Sequence, residues 1–373
     1  MPVELHSVSS KTELKEFVRF QFSLYSTCKY WVPPLIKAEL RMLRKDINPA
    51  LEHCDVNYLL AYRDGKVVGR IAGIINHEYN RLWQKKVARF CWFDFIDDTE
   101  VSGALLRAIE EWAASKGMVN LTGPMGFTTF EKQGVLIEGF DMLPTISSTY
   151  NFDYYQKHLE VHGYKKISDY LEFLMIPPDE VPEKVQRVAD FIRTRYKVKP
   201  LRTNSKKKLM SYSEQALEVI NKAYTPIVGF VPLTHRQITY TLRKFDSLIL
   251  PDFTTIVTDD NDRVVGFQIA MPSLSEAFQK AKGRLFPFGF IPVLKAIWRP
   301  RRLDMLLVGV IPEYQNKGVN ALFMTEIIYS CRKHGIRIAE SNGLLEENTR
   351  IQEYMSYFES RQHKRRRLYL KEL

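Results

Sequence analysis

The sequence is poor in the residues that would cross-link a fold or hold it in a bilayer. Its four cysteines, Cys28, Cys54, Cys91 and Cys331, are widely separated. None has a CxxC or Cys/His spacing that could close a zinc tetrahedron, so reduced, buried thiols are expected, and no metal site. The longest apolar run, residues 285–294, falls well short of the ~20 residues that span a bilayer. Met1-Pro2-Val3-Glu4 carries no apolar secretory core, which makes a cytoplasmic setting the expectation. There is no GxSxG elbow, GxxxxGK[ST] loop or HExxH helix, and no histidine stands in a His-x4-Asp step. The chemistries those motifs mark are therefore not indicated.

What is present is a globular composition, 45% apolar and 12% aromatic, which excludes disorder. At ~100–200 residues per domain, 373 residues suggest two domains. The formal charge of +11 is concentrated in two acid-free runs. Residues 193–208 carry Arg193, Arg195, Lys197, Lys199, Arg202, Lys206, Lys207 and Lys208; residues 361–371 carry Arg361, Lys364, Arg365, Arg366, Arg367 and Lys371. Outside them acids slightly outnumber bases. Such runs attract polyanions or form solvated faces. No aromatic residues interleave with them as in an RNA-reading module, so nucleic acid is not the favoured partner.

Pro177, Pro178 and Pro182 interrupt the chain and place a boundary there, giving residues 1–177 and 178–373. The two sides repeat one plan. Residues 57–69 and 253–266 each read as a hairpin around Asp64-Gly65 or Asn261-Asp262. Residues 89–96 and 304–311 read as strands running into amphipathic helices, which close at Gly117 and Gly335 before further strands. Each half ends in another amphipathic segment and strand, at 154–160 then 164–175, and at 351–358 then 368–370. The spacing between matched pieces grows by about 21 residues, which puts an insertion at about 274–302 of the second half. The fold class is α/β, two tandem mixed-sheet domains.

The most informative stretch is residues 306–321, an apolar strand with an internal Gly309 running into a polar turn at a helix start. Gly309 marks a place prone to a β-bulge. Amides in such a turn lack intrahelical partners, and the helix dipole adds positive charge, so a pyrophosphate fits, with Lys317 beside it. Pro312, Gln315 and Gly318 resemble the Pro-x-x-Gln/Arg-x-x-Gly-x-Gly/Ala loop of the GNAT superfamily of acyl-CoA N-acyltransferases. Asn320 departs from that pattern at its last position. With the repeat, the chain looks like a tandem GNAT protein whose N-terminal domain is degenerate. In that half the loop is replaced by Asp97-Asp98-Thr99-Glu100, whose carboxylates cap a helix and repel phosphate.

The resemblance implies acetyl-CoA or a longer acyl-CoA as co-substrate, held by Val310, Ile311, Gln315, Asn316, Lys317, Gly318, Val319, Asn320, Ala321 and Asn348. An amide at Val310 or Ile311 would polarise the thioester carbonyl. An amine acceptor is protonated at neutral pH, so a base must expose its lone pair. Glu340, where the sheet would open, is the expected base, with Glu346 and Glu347 as alternatives. The family's general-acid Tyr would fall at Met355, leaving Tyr354 and Tyr357 as the nearby candidates.

Two further segments bear on the acceptor. Residues 284–302, aromatic and closed by bases, suit a membrane surface, an acyl-chain groove or packing between the halves. Residues 123–152, rich in Gly and Phe, suit a cover over the acceptor side. The expected activity is N-acyl transfer from a CoA or acyl-carrier-protein thioester to an amine, with a sphingoid base as the most specific version and the inner face of the membrane as the place. The alternatives are an aminoacyl-tRNA-dependent transferase and a non-catalytic interaction or membrane-binding protein.

Overall fold

The computed structural model describes residues 2–225, 229–348 and 358–373. In chain order the strands begin with β1 (Glu4–Ser7), the hairpin β2 (Cys54–Arg63) and β3 (Lys66–Asn76), and β4 (Val87–Phe95). They continue with β5 (Asn120–Gly123), β6 (Val135–Glu138), β7 (Lys165–Ile176) and β8 (Lys199–Pro200). A second hairpin, β9 (Thr254–Thr258) and β10 (Val264–Pro272), precedes β11 (Arg302–Val310), β12 (Ile338–Ser341), β13 (Leu344–Leu345) and β14 (Glu359–Glu372). The first helices are α1 (Lys11–Leu24), α2 (Ile36–Met42), α3 (His77–Trp83), α4 (Thr99–Ser115) and α5 (Tyr154–Val161). They are followed by α6 (Glu183–Tyr196), α7 (Lys206–Met210), α8 (Ser213–Tyr224) and α9 (His235–Phe245), then α10 (Ser275–Ala281), α11 (Phe290–Trp298) and α12 (Asn320–His334). Among the described residues no helix is long and apolar enough to cross a membrane.

The described residues form two compact units. One comprises Met1–Leu171, Ser275–Val293 and His363–Leu373; the other comprises Glu172–Leu274 and Leu294–Gln362. Strand β7 ends and α6 begins on either side of the proline-rich segment. The units nevertheless exchange pieces of chain that a single cut at 177/178 would keep apart.

In the first unit β1, β2, β3 and β4 run antiparallel in order, and β4 pairs parallel with β5. Strand β5 then pairs antiparallel with β14, Tyr369 opposite Gly123. One face buries Leu105, Ile109 and Leu159 from α4 and α5; the other buries Phe17 and Val18 from α1. Residues 275–283 are fastened here. Ser275 Oγ donates to Pro144 O at 2.7 Å, and Gln279 Nε2 donates to Lys29 O at 2.8 Å and Trp31 O at 3.0 Å.

In the second unit β9, β10 and β11 are antiparallel neighbours, β12 lies parallel to β11, and the end of β7 closes on β12. Helices α6, α8 and α12 bury Ile192, Ile220 and Leu322, and the sheet residue Phe267 is buried as well. Both sequence-placed helix ends appear, with Gly117 at φ +76° and Gly335 at φ +65°. This left-handed conformation costs glycine least.

The basic run near the C-terminus is not a solvated face. Arg365 and Arg367 both bond Asp169, Lys371 Nζ lies 2.8 Å from Glu110, and Lys364 and Arg366 are buried. These residues lie on β14, so their alternation is that of a strand with one face buried and the other half-buried. The other run is partly paired as well: Arg202 with Glu326, Lys206 with Asp246 and Lys197 with Asp260.

Candidate active site

Strand β11 builds the site through two interruptions at one place. Against β10 its register runs from Gly266↔Val310 to Ile269↔Leu307 and resumes at Ala270↔Met305, so Leu306 is the extra residue of a β-bulge. Against β12 the pairing runs from Arg302↔Ile338 to Met305↔Ser341 and stops. The bulge expected at Gly309 therefore lies three residues earlier. Gly309 meets a packing need instead, because a Cβ there would sit 2.9 Å from the Phe267 ring.

Hydrogen-bond parity decides which amides face the parting strands. Ile311 N–H donates to Val265 O at 2.9 Å, which makes Val310/Gly266 a non-hydrogen-bonded pair. The N–H groups of Val310 and, two residues back, Val308 then point away from β10, while the Ile311 amide is already engaged. The carbonyls on that edge are held: Val308 O accepts from Tyr224 Oη at 2.9 Å and Val310 O from Gln315 Nε2 at 3.0 Å. Burial pushes the Tyr224 hydroxyl up to about 12, which keeps it a neutral donor.

A short 3-10 turn, Pro312–Tyr314, leads into the loop before α12. Asn316 at φ +59° and Gly318 at φ +82° bend the chain twice. Ala321 and Leu322 donate back to Gly318 O and Val319 O. No main-chain hydrogen bond of ordinary geometry holds the amides of Asn316, Gly318, Val319 or Asn320 among the described residues. Val319, at the cap position, supplies no side-chain acceptor. Several unpartnered donors thus converge at the positive end of a 15-residue helix, an arrangement that binds anions. A Cβ on Gly318 would lie 2.8 Å from Ile192 Cδ1, so α6 braces the loop from behind. Lys317 Nζ stands over the rings of Tyr196 and Tyr314, at 5.0 and 5.1 Å. Asn320 is exposed.

Glu340 sits one residue before the last paired position of β12 and is buried, opposite Asp304 of β11 and Leu174 of β7. Glu172, two residues along β7, brings a carboxylate oxygen within 4.8 Å of one on Glu340. Glu172 and Asp304 are fully buried, and the sequence reading singled out neither. Their signal was an acid inside an otherwise apolar strand. Glu346 is half-buried and Glu347 exposed; Asn348 follows with its N–H on Leu345 O at 2.9 Å. Tyr354 and Tyr357 lie outside the described residues.

The first unit keeps half of this apparatus. Strand β4 also bulges, its register with β3 jumping between Arg70↔Asp94 and Ala72↔Cys91, with Trp92 at φ +46°. Its parallel pairing with β5 ends at Arg89↔Thr122. The turn that follows is capped by acidic side chains. Asp98 accepts from Glu100 N at 2.8 Å and Val101 N at 3.2 Å, while Arg63 reaches Asp98 and Glu100 at 2.7 and 2.9 Å. A side-chain cap there occupies donors that remain open before α12. Burial pushes the thiols of Cys54, Cys91 and Cys331 up to about 12, so they pack as inert side chains.

This duplicated architecture, with its bulged, parting strands, is the fold of the tandem GNAT acyltransferases. A tandem GNAT protein from the clavulanic acid biosynthesis pathway superposes with a TM-score of 0.58 at 13% identity, covering 99% of this chain and 98% of that one. A GCN5-related N-acetyltransferase from Sphaerobacter thermophilus gives 0.54 at 12% identity, covering 99% and 95%. No protein-family model matches the sequence. Among curated proteins the chain is 28% identical to Protein YghO of Escherichia coli strain K12, over 98% of this chain and 94% of that protein. It is 27% identical to the bacterial ceramide synthase of Caulobacter vibrioides, over 78% of this chain and 75% of that protein.

Proposed function

We propose that this protein is an N-acyltransferase that moves an acyl group from a CoA or acyl-carrier-protein thioester to an amine, with the donor bound in the second unit. The observation that carries the reading is the set of unpartnered amides of Asn316, Gly318, Val319 and Asn320 at the start of α12. These donors suit a diphosphate, and the side chains of Gln315 and Lys317 and the packing of Ala321 fix the loop that presents them. The Val308 and Val310 amides face the parted strands, where a thioester carbonyl could accept from them. The bound donor would supply the activated acyl group; every other role falls to this chain. Glu340 would take the proton from the acceptor amine, Asn348 would steady the donor's arm, and Tyr354 or Tyr357 would protonate the departing thiolate. The acyl acceptor is proposed to be a lipid-like amine such as a sphingoid base. Supporting this is the likeness to the bacterial ceramide synthase.

The test compares CoA with pantetheine, which lacks the diphosphate. At 100 times its Kd a ligand adds about 2.7 kcal/mol of stability. For a unit of this size that raises the melting temperature by roughly 5–10 °C. CoA should produce this rise and pantetheine should not. Release of free thiol from an acyl-CoA in the presence of long-chain amines then reads the transfer. Indifference to millimolar CoA and to acylated carrier protein would defeat the assignment.

A further inference from the structure

From Ala277 to Leu303 the chain contains no acid, yet it holds Lys280, Lys282, Arg284, Lys295, Arg299, Arg301 and Arg302. Within this stretch Phe286 and Phe288 are 74% and 73% exposed, Ile291 53% and Trp298 74%. Phe290 and Leu294 are exposed as well. Helix α11 buries none of its residues, and Phe290, Ile291, Leu294 and Trp298 follow helical spacing along one exposed face. Behind it Pro292, Val293, Ala296 and Ile297 lie half-buried, so apolar side chains occupy the exposed face of this helix as well as its inner one. Solvent alone does not favour such a face.

The patch is anchored rather than loose. Gly283 O accepts from Ile36 N at 3.0 Å, and a Cβ on Gly283 would lie 2.5 Å from the Phe22 ring. Phe290 N–H closes the loop onto Leu285 O at 2.8 Å, and the Phe286 and Phe290 rings meet at 5.9 Å. Around the aromatic tips, Arg284, Lys295, Arg299 and Arg301 are all exposed. None of the four pairs with an acid among the described residues. Apolar side chains ringed by unpaired bases match an interface where acyl chains lie beneath anionic headgroups.

We propose that residues 284–302 dock this protein on an anionic membrane surface, Phe286, Phe288, Ile291 and Trp298 entering the interface and the surrounding bases meeting the headgroups. The docking does not depend on acyl transfer and is measured without any thioester. The full chain should float with vesicles of phosphatidylcholine and phosphatidylglycerol at 7:3, and several-fold less with phosphatidylcholine alone. Replacing exposed side chains in F286S/F288S/W298S should leave the melting temperature unchanged and lower the vesicle-bound fraction at least tenfold. K295Q/R299Q should lower binding at least threefold on the anionic vesicles only, and should flatten its salt dependence. A wild-type chain that fails to float, or a triple variant that floats as well, overturns the proposal. So does a wild-type dimer that ignores vesicles and that the triple variant dissociates, which would make the patch a contact between copies of this chain.

Discussion

Replacing Asn320 by Glu separates the two things the start of α12 does. Asn320 is the exposed first residue of the helix, followed by fourteen more. A carboxylate there faces the positive end of the dipole and should stabilise the helix by about 0.3–1 kcal/mol. For a diphosphate on the neighbouring amides the same charge is repulsive. A pair of like charges near 4 Å costs about 1 kcal/mol under full water screening and about 4 kcal/mol at the effective dielectric of a protein surface. Each 1.4 kcal/mol is about tenfold in affinity, so Asn320→Glu should weaken CoA binding by about tenfold or more. Isothermal titration with CoA, beside thermal melting of the free protein, reads both effects. Stability should hold or rise while affinity falls, and the loss should shrink at high salt. CoA affinity within twofold of wild type would refute the placement of the diphosphate at this turn.

Two further outcomes follow from the same geometry. Gly318→Ala forces a side chain into φ +82° and against Ile192, so the unliganded protein should lose about 1–3 kcal/mol and melt several degrees lower; an unchanged midpoint would show that α6 does not brace the loop. At Asp169, burial would raise the carboxyl, but the bonds from Arg367, Arg365 and Lys166 prevail and hold it at about 2. A depressed carboxyl stabilises the fold above its unfolded value near ~3.9 and loses that contribution as pH falls toward ~2. Asp169→Asn should therefore lower stability by about 3 kcal/mol at neutral pH and much less at pH 2, as followed by denaturant melts; an equal loss at both pH values would contradict the ion-pair account.

What was legible in the sequence was local. The hairpins, the glycine-ended helices and the polar turn at Gly318 depend on neighbours within a few positions, and turn chemistry announces them. The bulge was misplaced because it is a property of two strands: only the register of β11 against β10 shows that Leu306 lacks a partner. Composition alone made residues 361–371 look like a charged surface. Their ion partner Asp169 is almost two hundred residues away, and alternation over so many bases hides a strand. The carboxylates of Glu172, Asp304 and Glu340 come from three strands that only the topology makes neighbours. The bulge at Trp92 had no glycine to mark it.

One assignment of segments has a consequence for synthesis. Residues His363–Leu373 belong to the first unit, where β14 pairs with β5. Strand β14 therefore leaves the ribosome long after β5, its neighbour in the sheet. Until then the margin of β5 is open to mispairing. A stop codon ahead of β14 would thus injure the unit that holds β1 to β5.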